Sequence, residues 1–270
     1  MTARHASHAP DDGAEDFDRL APALWNTVGN AVVAAADILV GERVLDVYAG
    51  TGSATIPAAQ LAGPDGRVDA VDPTTPMLDL TRDKAGAMGL ENIGFSAQDP
   101  REWHTDKPYD AVLSCYGLCL SPNMSAATLR VLSLLRPGGR FALSVWDEGA
   151  LEPFETKLLK ACEAEFPDSA PAAPGSFLAN RRELTGEGRL TAWLERHGFG
   201  QVTVEKLALT VPLDADMAWS LVLGSGYRSF IPDDPAVLER IRAGFLRELG
   251  TGFTLNADSL IAVAGRPETG

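Results

Sequence analysis

Cysteine is scarce in this chain: Cys115, Cys119 and Cys162 are the only three among 270 residues. Three cysteines cannot build a disulfide framework, and their spacing relative to the four histidines matches no zinc site. We therefore expect a protein of a reducing compartment, the cytoplasm, with no bound metal ion.

Basic residues are also in short supply. Lysine and arginine number 23 against 37 aspartates and glutamates, which gives a formal net charge of -14 at pH 7. Such a surface repels polyanions, so nucleic acid and anionic membranes are poor partners and a small molecule is the expected ligand. The oligomeric state stays open.

Long apolar runs are missing as well. No stretch approaches the roughly 20 apolar residues that cross a bilayer, and the acidic N-terminus lacks the apolar core of a signal peptide. We expect residues 1–15, with His5 and His8, to be a disordered tail. Residues 16–42 have a helical pattern and should cap the domain that follows.

Short apolar runs rich in β-branched residues alternate with helical stretches from Val44 onward. The runs are "RVLDVYA", "RVDAVD", "IGFSAQD", "YDAVLSCY" and "RFALSVW". Their alternation with helices requires crossover connections, which predicts an α/β fold with a doubly wound, mostly parallel sheet. The stretches "QVTVEKLALTV" and "FTLNADSLIAVAG" should be its closing strands.

Two connections in the predicted domain, residues 43–270, are longer than ordinary loops. They span about 150–186 and 212–251, and both contain helical segments. We interpret these insertions as a cap over the site rather than as an independent domain.

The stretch "VLDVYAGTGSATIP" reads as a buried strand, a glycine turn and a helix. Gly50 and Gly52 leave N–H groups bare at the strand end, and Asp72 ends the next strand, where a carboxylate can accept hydrogen bonds from a ribose. Dinucleotide and adenosyl binders share this pattern. Thr55 stands where a dinucleotide site needs a small residue, and the Asp46 carboxylate would repel a phosphate but attract an ammonium group. A ligand with a ribose, an amino group and no phosphate fits better.

Four motifs in order resemble those of the class I S-adenosylmethionine-dependent methyltransferases. "VLDVYAGTG" is similar to the first motif, "VDAVDPTTPML" to the second-strand motif, "FSAQD" to the third-strand motif and "LLRPGGRFALSVW" to the turn before strand five. The resemblance runs from about Val44 to Trp146. It implies a Rossmann-like, seven-stranded sheet with an antiparallel last strand, S-adenosyl-L-methionine as cofactor and methyl transfer as the reaction.

The resemblance also implies roles for single residues. Asp46 and the main chain from Gly50 to Gly52 would hold the methionine moiety, and Asp72 would hold the ribose. Met77 would pack against the adenine, and Asp99 would accept its exocyclic amine. The other implied cofactor neighbours are Tyr48, Ala49, Thr51, Pro73, Gln98, Pro100, Ser114 and Cys115. Each role has an ordinary alternative, since a carboxylate can cap nearby backbone and a methionine can be core.

Tyr48 departs from the family's first motif, which most often has glycine there. By strand alternation its ring should lie on the same side as Asp46. We expect it to wall the methionine end of the cofactor site or the substrate pocket. The alternatives are a ring that blocks the cofactor, a direct catalytic role for the phenol, and simple packing.

Methyl transfer depends mainly on alignment, and a base is needed only for some acceptors. His104 is the candidate base, because its loop starts beside Asp99. His197, near a helix end, is expected to be a cap or surface residue.

Aromatic residues cluster at the predicted strand ends and in the insertions: Trp25, Tyr116, Trp146 and Tyr227. Around a cleft they favour a flat or apolar acceptor, although each could equally be ordinary core. The sequence thus predicts methylation of a small aromatic or apolar metabolite, as in specialised metabolism. Two alternatives stay open, a nicotinamide-dinucleotide oxidoreductase and a member of the fold that keeps the cofactor structurally without methylating.

Overall fold

A computed structural model describes residues 13–165 and 176–268. Its strands are β1 Arg43–Val47, β2 Arg67–Asp72, β3 Ile93–Ala97, β4 Tyr109–Cys115, β5 Leu135–Trp146, β6 Gly200–Leu207, β7 Thr210–Leu213, β8 Phe253–Asn256 and β9 Ser259–Gly265. Seven of them form one sheet in the order β3-β2-β1-β4-β5-β9-β6. β1 to β5 pair in parallel, and β9 is antiparallel to both of its neighbours. The prediction of a mostly parallel, seven-stranded α/β sheet is confirmed.

Helices cover both faces of this sheet. They are α1 Ala14–Arg19, α2 Asn26–Ala36, α3 Thr55–Ala62, α4 Thr75–Ala87, α5 Met124–Leu134, α6 Phe154–Glu165, α7 Ser176–Leu184, α8 Glu187–Arg196, α9 Ala215–Leu223 and α10 Pro235–Leu249. A π-helical turn, Ala21–Trp25, joins α1 to α2. Among the residues described, no helix combines the length and the apolar character that a membrane crossing requires.

The central strands are mostly apolar because helices bury both of their faces. In β1, Val44 packs in the core cluster that includes α2, while Leu45 and Val47 pack in the cluster that includes α5. The turn at Gly138 forms an irregularity within β5, whose pairing with β4 jumps from Leu135 to Arg140.

The two closing stretches each divide into two strands, which the sequence did not predict. β6 and β9 join the main sheet, whereas β7 and β8 pair in a separate two-stranded sheet. Pro212 in β7 has no N–H to donate, and such a residue suits a narrow ribbon better than the interior of a sheet.

The N-terminal boundary also differs from the expectation. α1 begins at Ala14, which is 3% exposed, so the last two residues of the predicted tail belong to the first helix. Residues 1–12, with His5 and His8, lie outside the described residues, as does most of the Pro/Ala-rich loop within the first insertion. α6 and α10, one from each insertion, pack together through Phe154 and Phe245, whose ring centroids are 5.0 Å apart.

Candidate active site

The turn after β1 leaves strand geometry at Tyr48. The φ angles of Tyr48, Gly50 and Gly52 are 56°, 55° and 89°. This left-handed region is open to glycine but costs about 1–2 kcal/mol for a residue with a side chain. A Cβ on Gly52 would lie 2.6 Å from the Thr81 methyl carbon, and the Thr81 hydroxyl donates to the Gly50 carbonyl at 2.9 Å. The turn is therefore held tightly against α4.

The Tyr48 ring lies on the other face of the sheet from the one that strand alternation predicts. It packs in the cluster that contains Leu45 and Val47, whereas Asp46 faces α3. The left-handed φ of Tyr48 is the physical reason, because alternation holds only while the backbone stays extended. The ring seats against Gly117, where an added Cβ would be 2.4 Å from the Tyr48 Cβ. The phenol therefore leaves the turn itself open.

Asp46 is a buried carboxylate with spare hydrogen-bonding capacity. It is 1% exposed, and its Oδ2 accepts a hydrogen bond from the Thr55 hydroxyl at 2.6 Å. Its Oδ1 has no hydrogen-bond partner in the described part of the chain. Burial raises the pKa of Asp46 to about 7, against the lowering effect of Thr55. Such buried atoms without partners fit a polar, cationic ligand.

Asp72 fixes the turn from β2. Its Oδ2 accepts from the Gly50 N–H at 2.9 Å, and its Oδ1 accepts from the Thr74 N–H at 2.8 Å. Asp72 is 6% exposed and faces the cavity described below.

Asp99, predicted to meet the adenine, makes an ion pair with Arg101. Its oxygens accept from the Arg101 backbone N–H at 2.9 Å and from Arg101 Nε at 3.0 Å. It is not among the residues that line the cavity, whereas Met77 is. An adenine contact at Asp99 stays a prediction.

A cleft at the carboxyl ends of the strands encloses about 940 Å³, counted with its mouth. Ten predicted site residues line it: Trp25, Tyr48, Ala49, Gly50, Asp72, Met77, Cys115, Tyr116, Trp146 and Tyr227. The predicted site residues that do not line it are Asp46, Thr51, Gly52, Pro73, Gln98, Asp99, Pro100, His104 and Ser114. The cleft has the size and the mainly apolar lining that are typical of small-molecule sites.

Sequence reasoning missed several residues of the cavity wall: Phe17, Ser53, Thr74, Leu120, Leu151, Phe177, Leu221, Gly224, Ser225 and Gly226. Most belong to α1 or to the two insertions, which carry no family motif. The one available signal was the position of Phe17 eight residues before Trp25, which places both on one face of a helix.

α1 covers the turn after β1. The Phe17 ring stacks on Trp25 with centroids 4.5 Å apart, and it comes within 3.4 Å of where a Gly50 Cβ would lie. Lys84 of α4 donates to the Thr51 carbonyl at 3.0 Å and forms an ion pair with Asp18 of α1. A ligand held by this turn would therefore lie beneath α1.

Three aromatic side chains form a connected wall of the cavity. Tyr116 stacks on Trp146 with centroids 4.1 Å apart, and both make edge contacts with Trp25 at 5.8 and 6.2 Å. Tyr116 has a φ of 55°, and its hydroxyl lies 2.5 Å from Ser259 Oγ. Burial raises the pKa of Tyr116 well above its usual value, so the phenol stays neutral.

The two histidines that the structure describes lie away from this cavity. His104, the candidate base, is exposed, with Nδ1 beside the Glu102 carbonyl, so the structure does not bring it to the site. The loop carries it away because the chain must return to the opposite end of the sheet. His197 is buried at the end of α8, where its ring nitrogens lie 2.7 Å from the Trp193 carbonyl and 3.0 Å from Ser125 Oγ. Of the two expectations for His197, a helix cap and a surface residue, the structure shows the cap.

Comparisons with known proteins agree with this geometry. Residues 44–139 match the model of a methyltransferase domain family. Over 200 residues the chain is 27% identical to aklanonic acid methyltransferase DauC from Streptomyces sp. (strain C5), in an alignment that covers 72% of this chain and 86% of that protein. Residues 44–139 thus resemble the methyltransferase domain of the class I enzymes. The chain is an S-adenosylmethionine-dependent methyltransferase, and S-adenosylmethionine is its cofactor.

Solved structures place this methyltransferase within the same fold. The YcgJ protein from Bacillus subtilis superposes with a TM-score of 0.58 and 15% identity, covering 90% of this chain and 99% of that one. The [4+2]-cyclase SpnF superposes with a TM-score of 0.57 and 19% identity, covering 90% and 80%. At these identities the likeness concerns the fold alone.

Proposed function

We propose that this methyltransferase acts on a small aromatic or apolar metabolite. The observation that supports the acceptor class is the wall of Trp25, Tyr116 and Trp146 beside the cofactor turn. Stacked and edge-on rings bind planar apolar groups well, and their orientation is fixed here by mutual contact. The acidic net charge of -14 opposes RNA as the acceptor.

The cofactor supplies a methyl group that is already activated by a sulfonium. In our proposal Asp46 binds its amino-acid end, Ser114 and Cys115 border the sulfonium, Asp72 binds the ribose and Met77 packs against the adenine. The buried Asp46 Oδ1, which lacks a partner among the described residues, would then gain one. α1 would exclude water from the reacting atoms, which favours a displacement that depends on alignment and desolvation.

The acceptor proposal is consistent with the relative whose name specifies its substrate, aklanonic acid. That resemblance supports a polyketide-like metabolite and a place in specialised metabolism. The three cysteines are free thiols, namely Cys115, Cys119 and Cys162, which supports a cytoplasmic location.

One alternative has a specific observation behind it. Tyr48 stands in the cofactor turn in a strained conformation, and the fold also occurs in SpnF, a protein named as a [4+2]-cyclase. A protein of this fold could thus keep the cofactor and catalyse another reaction. The dinucleotide alternative has less support, because the buried Asp46 carboxylate would repel a pyrophosphate.

The test combines cofactor binding with turnover. Titration calorimetry with S-adenosylhomocysteine should show heat of binding in the wild type and little in Asp46→Asn. Incubation with labelled S-adenosylmethionine and a panel of aromatic and polyketide-like acceptors should then give acceptor-dependent S-adenosylhomocysteine, and the labelled product identifies the atom methylated. Tyr116→Ala should raise KM for the acceptor without weakening S-adenosylhomocysteine binding, with the exposed Leu129→Ala as control. Binding without any acceptor-dependent turnover would favour the non-methylating alternative.

A further inference from the structure

A buried ion pair lies behind one end of the cleft that the aromatic wall and Tyr227 line, which we call the acceptor cavity. Glu155 of α6 and Arg181 of α7 approach to 2.7 Å. Both also contact the hydroxyl of Tyr227, a residue of the short 3-10 helix Gly226–Phe230: the hydroxyl donates to Glu155 Oε2 at 2.8 Å, and Arg181 donates to it at 3.2 Å. Three separate elements of the two insertions thus meet at one phenol.

This cluster is well shielded from solvent. Tyr227 is 1% exposed and Glu155 is 4% exposed, while the Arg181 side chain is 10% exposed. A buried ion pair is seldom a net source of stability, because desolvation of the two charges offsets their attraction. Packing of the insertions alone would be served as well by apolar side chains. The charges therefore call for a role other than stability.

Tyr227 connects the ion pair to the cavity. Its ring lines the acceptor cavity, while its hydroxyl is bound by Glu155 and Arg181, which do not line that cavity. Glu155 and Arg181 instead line a second, polar cleft of about 780 Å³. The ring is set edge-on to Phe177 at 6.3 Å and 85°. Tyr227 consequently presents an apolar ring to the acceptor and directs its polar atom away from it.

Resting on the proposed function, we infer that Glu155 and Arg181 are positioning residues that hold Tyr227 as the end wall of the acceptor cavity and so determine which acceptors fit. The arginine is suited to this because its planar fork reaches two partners at once, which a lysine cannot reproduce. The acceptor end that meets this wall is apolar, since the only polar atom of the Tyr227 side chain is already bound elsewhere. The reaction itself needs no proton from this phenol, whose pKa burial raises well above its usual value.

Arg181→Lys tests the inference, with Arg196→Lys as matched control, because Arg196 makes an exposed ion pair with Glu183. The chain contains four tyrosines, so fluorotyrosine labelling gives a simple fluorine NMR spectrum in which Tyr227→Phe assigns the Tyr227 signal. We expect the Tyr227 resonance to shift and broaden in Arg181→Lys and to stay unchanged in Arg196→Lys. An unchanged resonance in Arg181→Lys would overturn the positioning role.

A binding measurement tests the consequence for the cavity. The neutral planar probe 2-naphthol, followed by fluorescence, should bind Arg181→Lys at least fivefold more weakly than the wild type. Tyr227→Phe keeps the ring but loses the hydroxyl that Glu155 and Arg181 bind, so it should also bind the probe more weakly than the wild type. Both variants should bind S-adenosylhomocysteine within twofold of the wild type, which a general loss of structure would not allow. Equal probe affinity in Arg181→Lys, or no probe binding to the wild type, would refute the link to acceptor choice. Failure of turnover with every acceptor would count against the proposed function and leave these comparisons intact.

Discussion

Asp46 should make the stability of this protein depend on pH in a way that asparagine abolishes. Burial raises the pKa of this carboxyl from 3.8 to about 7. Between these two pH values the Asp46 carboxyl is protonated in the folded state and ionised in the unfolded state. Its contribution to the free energy of unfolding is therefore present at low pH and is lost as the pH rises to 7. One pKa unit corresponds to about 1.4 kcal/mol. Between pH 5 and pH 8 the linkage relation predicts that the free energy of unfolding falls by about 3 kcal/mol.

Urea unfolding of the wild type and of Asp46→Asn at pH 5 and pH 8 measures this loss. Asparagine cannot ionise, and its amide oxygen can still accept a hydrogen bond from Thr55. As the pH rises from 5 to 8, the free energy of unfolding of the wild type should therefore fall by about 3 kcal/mol relative to that of Asp46→Asn. Asp79→Asn is the control, because the Asp79 side chain is 53% exposed and should show almost no such change. Wild type and Asp46→Asn curves that stay parallel from pH 5 to pH 8 would refute the reasoning.

The same carboxylate should make cofactor affinity depend on pH. A cationic amino group binds the ionised form of Asp46, and with a pKa of about 7 that form is a minor species at pH 6 and the major one at pH 8. Affinity for S-adenosylhomocysteine should therefore rise about tenfold over this range in calorimetric titrations. In Asp46→Asn the affinity should be low and nearly independent of pH.

Three further predictions follow from contacts around the site. Gly117→Ala should destabilise the protein by about 2 kcal/mol or more, because the added Cβ would clash with Tyr48. Most of this loss should disappear when Gly117→Ala is combined with Tyr48→Gly. Additive losses of the two single variants in urea unfolding would contradict this prediction. Lys84→Met removes the link between α1 and the cofactor turn, so stopped-flow dissociation of S-adenosylhomocysteine should be several times faster, whereas an unchanged rate would show that α1 does not retain the ligand. His104→Ala should keep kcat within twofold of the wild type. A hundredfold fall in kcat would instead indicate that His104 is the catalytic base.

Much of the fold was predictable from the sequence because it depends on local patterns. Alternation of β-rich apolar runs with helices requires a parallel sheet, and a parallel sheet brings the carboxyl ends of its strands to one edge. Gly50 and Asp72 follow or end such strands, so the strand pattern was enough to predict that they converge on one cavity, whereas Cys115 was implied by the family resemblance. The family motifs supplied the cofactor.

Tertiary structure alone decided the rest. The face on which Tyr48 lies depends on one left-handed backbone angle, and the pKa of Asp46 depends on how completely other elements bury it. Phe177 and the Glu155–Arg181 pair reach the cavity region from insertions whose helical periodicity carries no information about what they contact. Local sequence sets which way a strand or helix turns its side chains, but long-range packing sets which of those side chains meet, and burial then fixes their charge.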